Sequence, residues 1–514
     1  MLRKASSVLV GQISLRQLYI GYNRALACVN SRRGNSSRRY NLHHTDTAGS
    51  SNPAEAADAA ATVLSDRSDM QKYPNKATWL DALKEKEKQE KEGKVIDSFS
   101  YVTPKTTDVG ERTREDSFSY LELPFKDDKW LCDAYINAFG RLRVGQLFQD
   151  LDALAGRIAY RHCAPAEPVN VTASVDRIYM LKRADEISDL NVLLAGVVTW
   201  TGKSSMEISV KGYGFKEKLP EDISEGSLAP ENVFLTANFT FVARNPATHK
   251  AFAVNRLLPR TEREWLDYRR AESRNALKKL AAKTQVVKQP SYEEFQLVYD
   301  LWNASNSLDK LVGPLGKHIS FMKENKVSST LFMQPQYRNR HSYMIFGGYI
   351  LRQAFELAYC GAAAFASAGP RFVSLDSTTF KSPVPVGAVL SMTASIAYTE
   401  NICPENETIP PEESPFHSFM PATNKFSKDP ESFLAEPGTL VQVKVDTSIR
   451  RLESVSKRES GTFIYSFFVP KASYKEGESG YSSIIPQTYS EMMEFIEGRR
   501  RAQDTANFVE TLSR

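Results

Sequence analysis

A chain of 514 residues with 41% hydrophobic content is long enough to build more than one core, since single cores stop growing at about 250–300 residues. The formal charge of +5 gathers in Met1–Thr45, which holds eight Lys or Arg and no Asp or Glu. The remaining 58 basic residues face 61 acidic ones, a balance that argues against a nucleic-acid footprint.

The basic leader comes first in chain order. Ser14–Leu26 can fold as a helix with basic and apolar faces, and residues 1–45 as a whole have the composition of a mitochondrial transit peptide, which places the mature protein in the matrix. Residues 46–116 turn to Ala, Ser and Asp and then to the run Lys84–Lys94, too polar to bury anything, and read as a charged, largely disordered linker. Folded material is expected from Ser117. No stretch supplies the usual 20 or so apolar residues of a membrane span: the most apolar, Ala354–Gly369, is made of small residues and contains Glu356. The five cysteines (Cys28, Cys132, Cys163, Cys360, Cys403) lie far apart without a CxxC pair, which fits a reducing interior rather than a disulfide framework.

From Ser117 onward the sequence repeats itself. Leu257–Tyr268 and Ile484–Phe495 share the pattern aliphatic-aliphatic-Pro-x-Thr-x-x-Glu-x-x-acid-aromatic, and Val171–Asp176 answers to Phe372–Asp376. Each copy has an Asn-containing turn, a glycine, a helix (146–160 and 349–365) and a run of β-branched and aromatic strands. The helices are apolar almost all round, which means burial on most sides. The expected fold class is α+β, with each antiparallel sheet wrapped around a buried central helix. The boundaries are 117–290 for the first domain, 291–327 for a helical connection and 328–514 for the second domain. An insertion at about 401–437, rich in Pro, Glu and Ser, reads as a surface excursion.

The candidate chemistry sits at the helix entrances. Gly145 and the Gly347-Gly348 pair expose backbone N–H groups at helix N-termini, where developing negative charge is favoured. Asn137 and Asn339 precede them in the turns. Two turns into the helices stand Asp152, with Asp150 beside it, and Glu356, acids among apolar neighbours whose desolvation would make them bases toward water. His162, His318 and His341 show no metal-ligand spacing, so no metal is expected, and no Gly-x-Ser-x-Gly elbow is present to support Ser-His-Asp chemistry.

The segments Met333–Gln336, Arg338-Asn339, His341, Ile345–Gly348, Arg352, Phe355–Ala358 and Pro383–Gly387 resemble the hotdog acyl-CoA thioesterases, most closely the mitochondrial type-9 group. Asp150–Ala155, Arg161–Cys163, Val171–Asp176 and Lys203–Glu207 resemble tandem hotdog thioesterases more broadly. The resemblance runs from about Ser117 to the C-terminus. It implies two tandem hotdog domains that hydrolyse fatty acyl-CoA, without cofactor, in a site shared between the halves. A carboxylate of one half activates water, and an Asn and a glycine amide of the other bind the carbonyl. Carried over, Asp152 belongs with Asn339 and Gly348, and Glu356 with Asn137 and Gly145. Gly347, His341, Lys203, Ser204 and Ser205 are candidate substrate contacts. The second copy has Phe355 where the Asp would align, with Glu356 one residue on, which turns its side chain by about 100°. A homo-oligomer is expected. The alternatives are a non-catalytic acyl-CoA-binding or assembly protein on the same scaffold, and a hydratase.

Overall fold

The computed structural model describes residues 106–512 apart from positions 184, 247, 285–288, 310–318, 340–343, 377, 412, 453–455 and 475–479. The transit segment, most of the linker and His341 lie outside the described residues. Among the described residues the first elements are β1 (Glu111–Arg112) and α1 (Arg114–Ser117), inside or at the edge of the stretch expected to be linker. Two contacts explain the difference. Asp116 accepts from the Thr113 amide at 2.7 Å in a capping box, and buried Arg114 pairs with Asp267 and Glu225.

The first half continues with β2 (Ser119–Leu123), α2 (Lys129–Tyr135) and the long α3 (Val144–Cys163). The strands β3 (Val169–Met180), β4 (Asn191–Thr201), β5 (Ser205–Phe215), β6 (Val233–Arg244) and β7 (Arg256–Leu257) follow, then α4 (Glu262–Thr284). The second half runs α5 (Tyr292–Asp309), β8 (Ile319–Phe321), β9 (Lys326–Phe332), α6 (Gly347–Ala366), β10 (Arg371–Leu375) and β11 (Thr378–Thr379). It ends with β12 (Val389–Ile402), β13 (Gly438–Arg450), β14 (Lys457–Pro470), β15 (Ser483–Ile485) and α7 (Tyr489–Leu512). Of the connection expected over 291–327, Tyr292–Asp309 is helical, whereas β8 and the start of β9 already belong to the second half's strand structure.

Each half has the same sheet order, β2-β4-β5-β6-β3 and β9-β12-β13-β14-β10, and the sheets join where β3 pairs antiparallel with β10. The seam is two-fold symmetric in register. Ile178 faces Leu375 and Val175 faces Thr378, so Val175 corresponds to Leu375, Ile178 to Thr378, and by the same step Thr172 to Phe372. These are the two tandem hotdog units expected from the sequence.

α3 and α6 are the buried central helices, and they pack against each other as well as on their sheets. Leu147, Leu151, Leu154 and Ile158 recur at helical spacing with at most 1% exposure. Burial of each such side chain contributes about 1.5–3 kcal/mol. The repeated Thr-x-x-Glu caps the helix in both copies: the Thr261 and Thr488 hydroxyls accept from the Glu264 and Glu491 amides, while Glu264 accepts from the Arg260 amide and Glu491 from those of Gln487 and Thr488. The Pro-rich insertion is more than a surface excursion. Phe416, Met420 and Phe433 are buried in the core, and Thr423 and Asn424 satisfy the buried carboxylate of Glu400.

Candidate functional site

The two helix entrances are built alike. In the first, Ile136 bridges Leu142 and the Asn137 amide donates to the Arg141 carbonyl at 2.8 Å. In the second, Arg338 bridges Ile345 and the Asn339 amide donates to the Met344 carbonyl at 2.8 Å. The second turn is one residue longer, which accounts for the different Asn-to-Gly spacing. Beyond the turns the register is restored: Val144 and Gly347 open their helices, so Gly145 corresponds to Gly348 and Asp152 to Phe355.

Asp152 has no exposed surface. Its Oδ1 accepts from the Thr172 hydroxyl at 2.8 Å and its Oδ2 from the Gly348 amide at 2.6 Å, so the carboxylate of one half rests on the helix N-terminus of the other. Burial pushes its carboxyl up from an ordinary value near 3.8 to about 7, against the opposing pull of these two hydrogen bonds. The glycines are required by closeness. A Cβ on Gly348 would stand 3.0 Å from Asp152 Cβ and from Gln149 Cα, and one on Gly347 would stand 3.1 Å from Asp152 Oδ2. Tyr337 fixes the same turn: its carbonyl accepts from the Phe346 amide at 2.8 Å, and its ring stacks on Tyr349 at 3.9 Å between centroids. Asn339 lies half-buried in this turn.

The counterpart of this arrangement is different in kind. Phe355 stands in the place of Asp152 and Phe372 in the place of Thr172, and their rings meet at 5.6 Å between centroids in an edge-on contact. A carboxylate–hydroxyl pair in one half is thus an aromatic pair in the other. Phe148 and Tyr465 complete the cluster. Glu356, one residue on, lies beside Gly145, where a Cβ would stand 3.1 Å from its Oε1, and it accepts from Arg143 Nη2 at 2.9 Å and Nε at 3.1 Å. Asn137 Oδ1 accepts from the amides of Phe139 and Arg141, which holds its own turn.

The remaining candidates lie elsewhere. Asp150 accepts from the Tyr135 hydroxyl at 2.5 Å, and burial raises its carboxyl to about 7. Lys203 and Ser204 lie in the turn between β4 and β5 and Ser205 opens β5, and among the described residues none of them hydrogen-bonds to Asp152 or Gly348. Thr172 was not singled out by the sequence. Its signal was present in the strand segment that repeats as Phe372, but only the fold sets it against Asp152. Among the described residues no group of His, Cys, Asp or Glu is gathered to hold a metal ion, and no helix is long and apolar enough to cross a membrane.

No protein-family model matches the chain. Among characterised proteins it is 31% identical over 402 residues to acyl-coenzyme A thioesterase 2, chloroplastic, of Humulus lupulus, covering 77% of this chain and 82% of the relative. It is 25% identical over 431 residues to acyl-coenzyme A thioesterase 9, mitochondrial, of Homo sapiens, covering 82% and 84%. Among solved structures it is similar to a variant acyl-CoA hydrolase from Staphylococcus aureus in complex with coenzyme A, at 20% identity and a TM-score of 0.28 over 35% of this chain and 94% of that one. An acyl-CoA hydrolase from Bacillus cereus matches at 26% identity and a TM-score of 0.26, over 35% and 99%.

Proposed function

The chain belongs to the acyl-coenzyme A thioesterase family, and from that premise we propose that it hydrolyses fatty acyl-CoA at one composite site, made of Asp152 and Thr172 from the first half and Asn339, Gly347 and Gly348 from the second. The observation that carries this reading is the buried Asp152 carboxylate held between Thr172 and the Gly348 amide. When a thioester enters, its carbonyl oxygen takes the Gly348 amide, and Asp152 turns to a water molecule. Asp152 removes a proton as the water oxygen attacks the carbonyl carbon. The oxyanion is stabilised by the first-turn amides of α6 and by Asn339, and it collapses as the C–S bond breaks. Asp152 returns its proton to the leaving sulfur, so the free acid and CoA thiol are released and the carboxylate is restored. A base of this kind supplies typically 10²–10⁴ in rate and each oxyanion donor about 10²–10³.

Glu356 is assigned no hydrolytic role, because Arg143 holds its carboxylate and Phe355 fills the equivalent of the base position. The basic leader and the relatives named as mitochondrial support a mitochondrial address, with the matrix as the compartment, although the Humulus relative named above is chloroplastic. A solved thioesterase similar to this chain is hexameric, and a homo-oligomer is proposed here. The test of function is to incubate the purified protein with acyl-CoAs of increasing chain length and follow free thiol. Thiol release dependent on the protein is expected. Binding without release at every length would replace this reading with a carrier or assembly role.

A further inference from the structure

The entrance with Phe355 in the place of the buried Asp opens on a cavity. This half-open cavity of about 350 Å³ lies between the Asn137 turn of the first half and Phe355, Tyr359 and Arg371 of the second, with Met180 and Phe433 among the apolar walls. That volume is at the lower end of pockets that take small molecules. Two donors on its lining have no hydrogen-bond partner although their atoms are buried: the Tyr359 hydroxyl and Arg371 Nε. Burial holds the Tyr359 phenol above its ordinary range, so it stays a proton donor.

The charges around them do not cancel. Arg141, Arg143 and Arg371 line the cavity against Asp185 and Glu356, and the adjoining Arg183–Glu436 pair leaves the excess of one positive charge unchanged. Burial and the nearby Arg371 guanidinium both lower the Arg141 side chain from its ordinary value, so a further anion beside them would be stabilised. Unmet donors, one excess positive charge and an aromatic wall fit a small monoanion with an apolar tail.

We propose that this cavity is a second, non-hydrolysing site that binds the carboxylate of a free fatty acid, with Tyr359 and Arg371 on the carboxylate and Phe355, Phe433 and Met180 along its chain. The product of the neighbouring site would then occupy the same molecule at a distinct place. The proposal rests on the reading of Asp152 as the hydrolytic carboxylate, since only then is this site free of turnover.

The experiment is calorimetric titration of the full chain with octanoate, octanol and CoA, on the parent, Tyr359→Phe and Asp152→Asn. Tyr359→Phe removes one unpartnered hydroxyl and nothing the fold uses. One octanoate is expected to bind at this site roughly 10–100-fold more weakly in Tyr359→Phe, the loss of a hydrogen bond to a charged group. It should bind unchanged in Asp152→Asn, and octanol should bind far more weakly than octanoate. Equal octanoate affinity in the parent and Tyr359→Phe, equal affinity for octanol, displacement by CoA at this site, or no octanoate binding at all would each overturn the proposal. Thiol release by Asp152→Asn is read separately, so full activity there would overturn the hydrolytic reading without touching the octanoate result.

Discussion

A carboxyl without exposed surface holds its proton more tightly in the folded chain than in the open one. For Asp152 the two values are about 7 and the ordinary 3.8. Between them the folded state binds more protons at this group, so its contribution to stability is greatest at low pH, falls as pH rises and becomes constant above about 7. Asp152→Asn carries no such penalty. It is expected to be more stable than the parent at pH 8, by up to on the order of 4 kcal/mol, with the gap closing toward pH 4. Denaturant unfolding at the two pH values measures this, and a less stable Asn variant at pH 8 would contradict it. The same proton governs catalysis: kcat/KM should rise with pH and level off above about 7. Thr172→Val removes a hydrogen bond that lowers the Asp152 value, so the midpoint of the pH–rate profile should move upward.

At the scale of the element, the central helices show what the sequence could and could not reveal. The repeat, the two entrances and the one-residue offset of Glu356 are readable by counting, because turn, glycine and helix are local. The partners are not. Thr172 meets Asp152 only through the placement of β3 on α3, and Arg143 meets Glu356 across 213 residues of chain. The insertion's Pro, Glu and Ser content masks its core side chains, Phe416, Met420 and Phe433 among them. Restoring the sequence pattern will not restore the site. Phe355→Asp places a carboxylate among Phe148, Phe372, Tyr465 and Phe467 with no hydroxyl at position 372. It is expected to destabilise the fold by roughly 3–5 kcal/mol, from the lost ring and the unpaired charge, without adding thiol-releasing activity. Melting temperature and turnover of the purified variant check both parts.

Among the described residues the two halves share one sheet across the seam and one core around both helices. Phe148 of the first half touches Phe355, Phe372 and Tyr465 of the second. Phe148→Ala is therefore expected to lower a single unfolding transition by about 3–5 kcal/mol rather than separate two transitions. Scanning calorimetry decides between these outcomes. The same arrangement brings a base from one half to the amide of the other, which neither half has alone. The most direct test compares thiol release from a matched acyl-CoA by the parent, Asp152→Asn and Glu356→Gln. A loss of roughly 10²–10⁴ in kcat is expected for Asp152→Asn with the fold intact, and less than tenfold for Glu356→Gln. Retained turnover in Asp152→Asn, or equal losses in both variants, would contradict a single hydrolytic site built on Asp152 and Gly348.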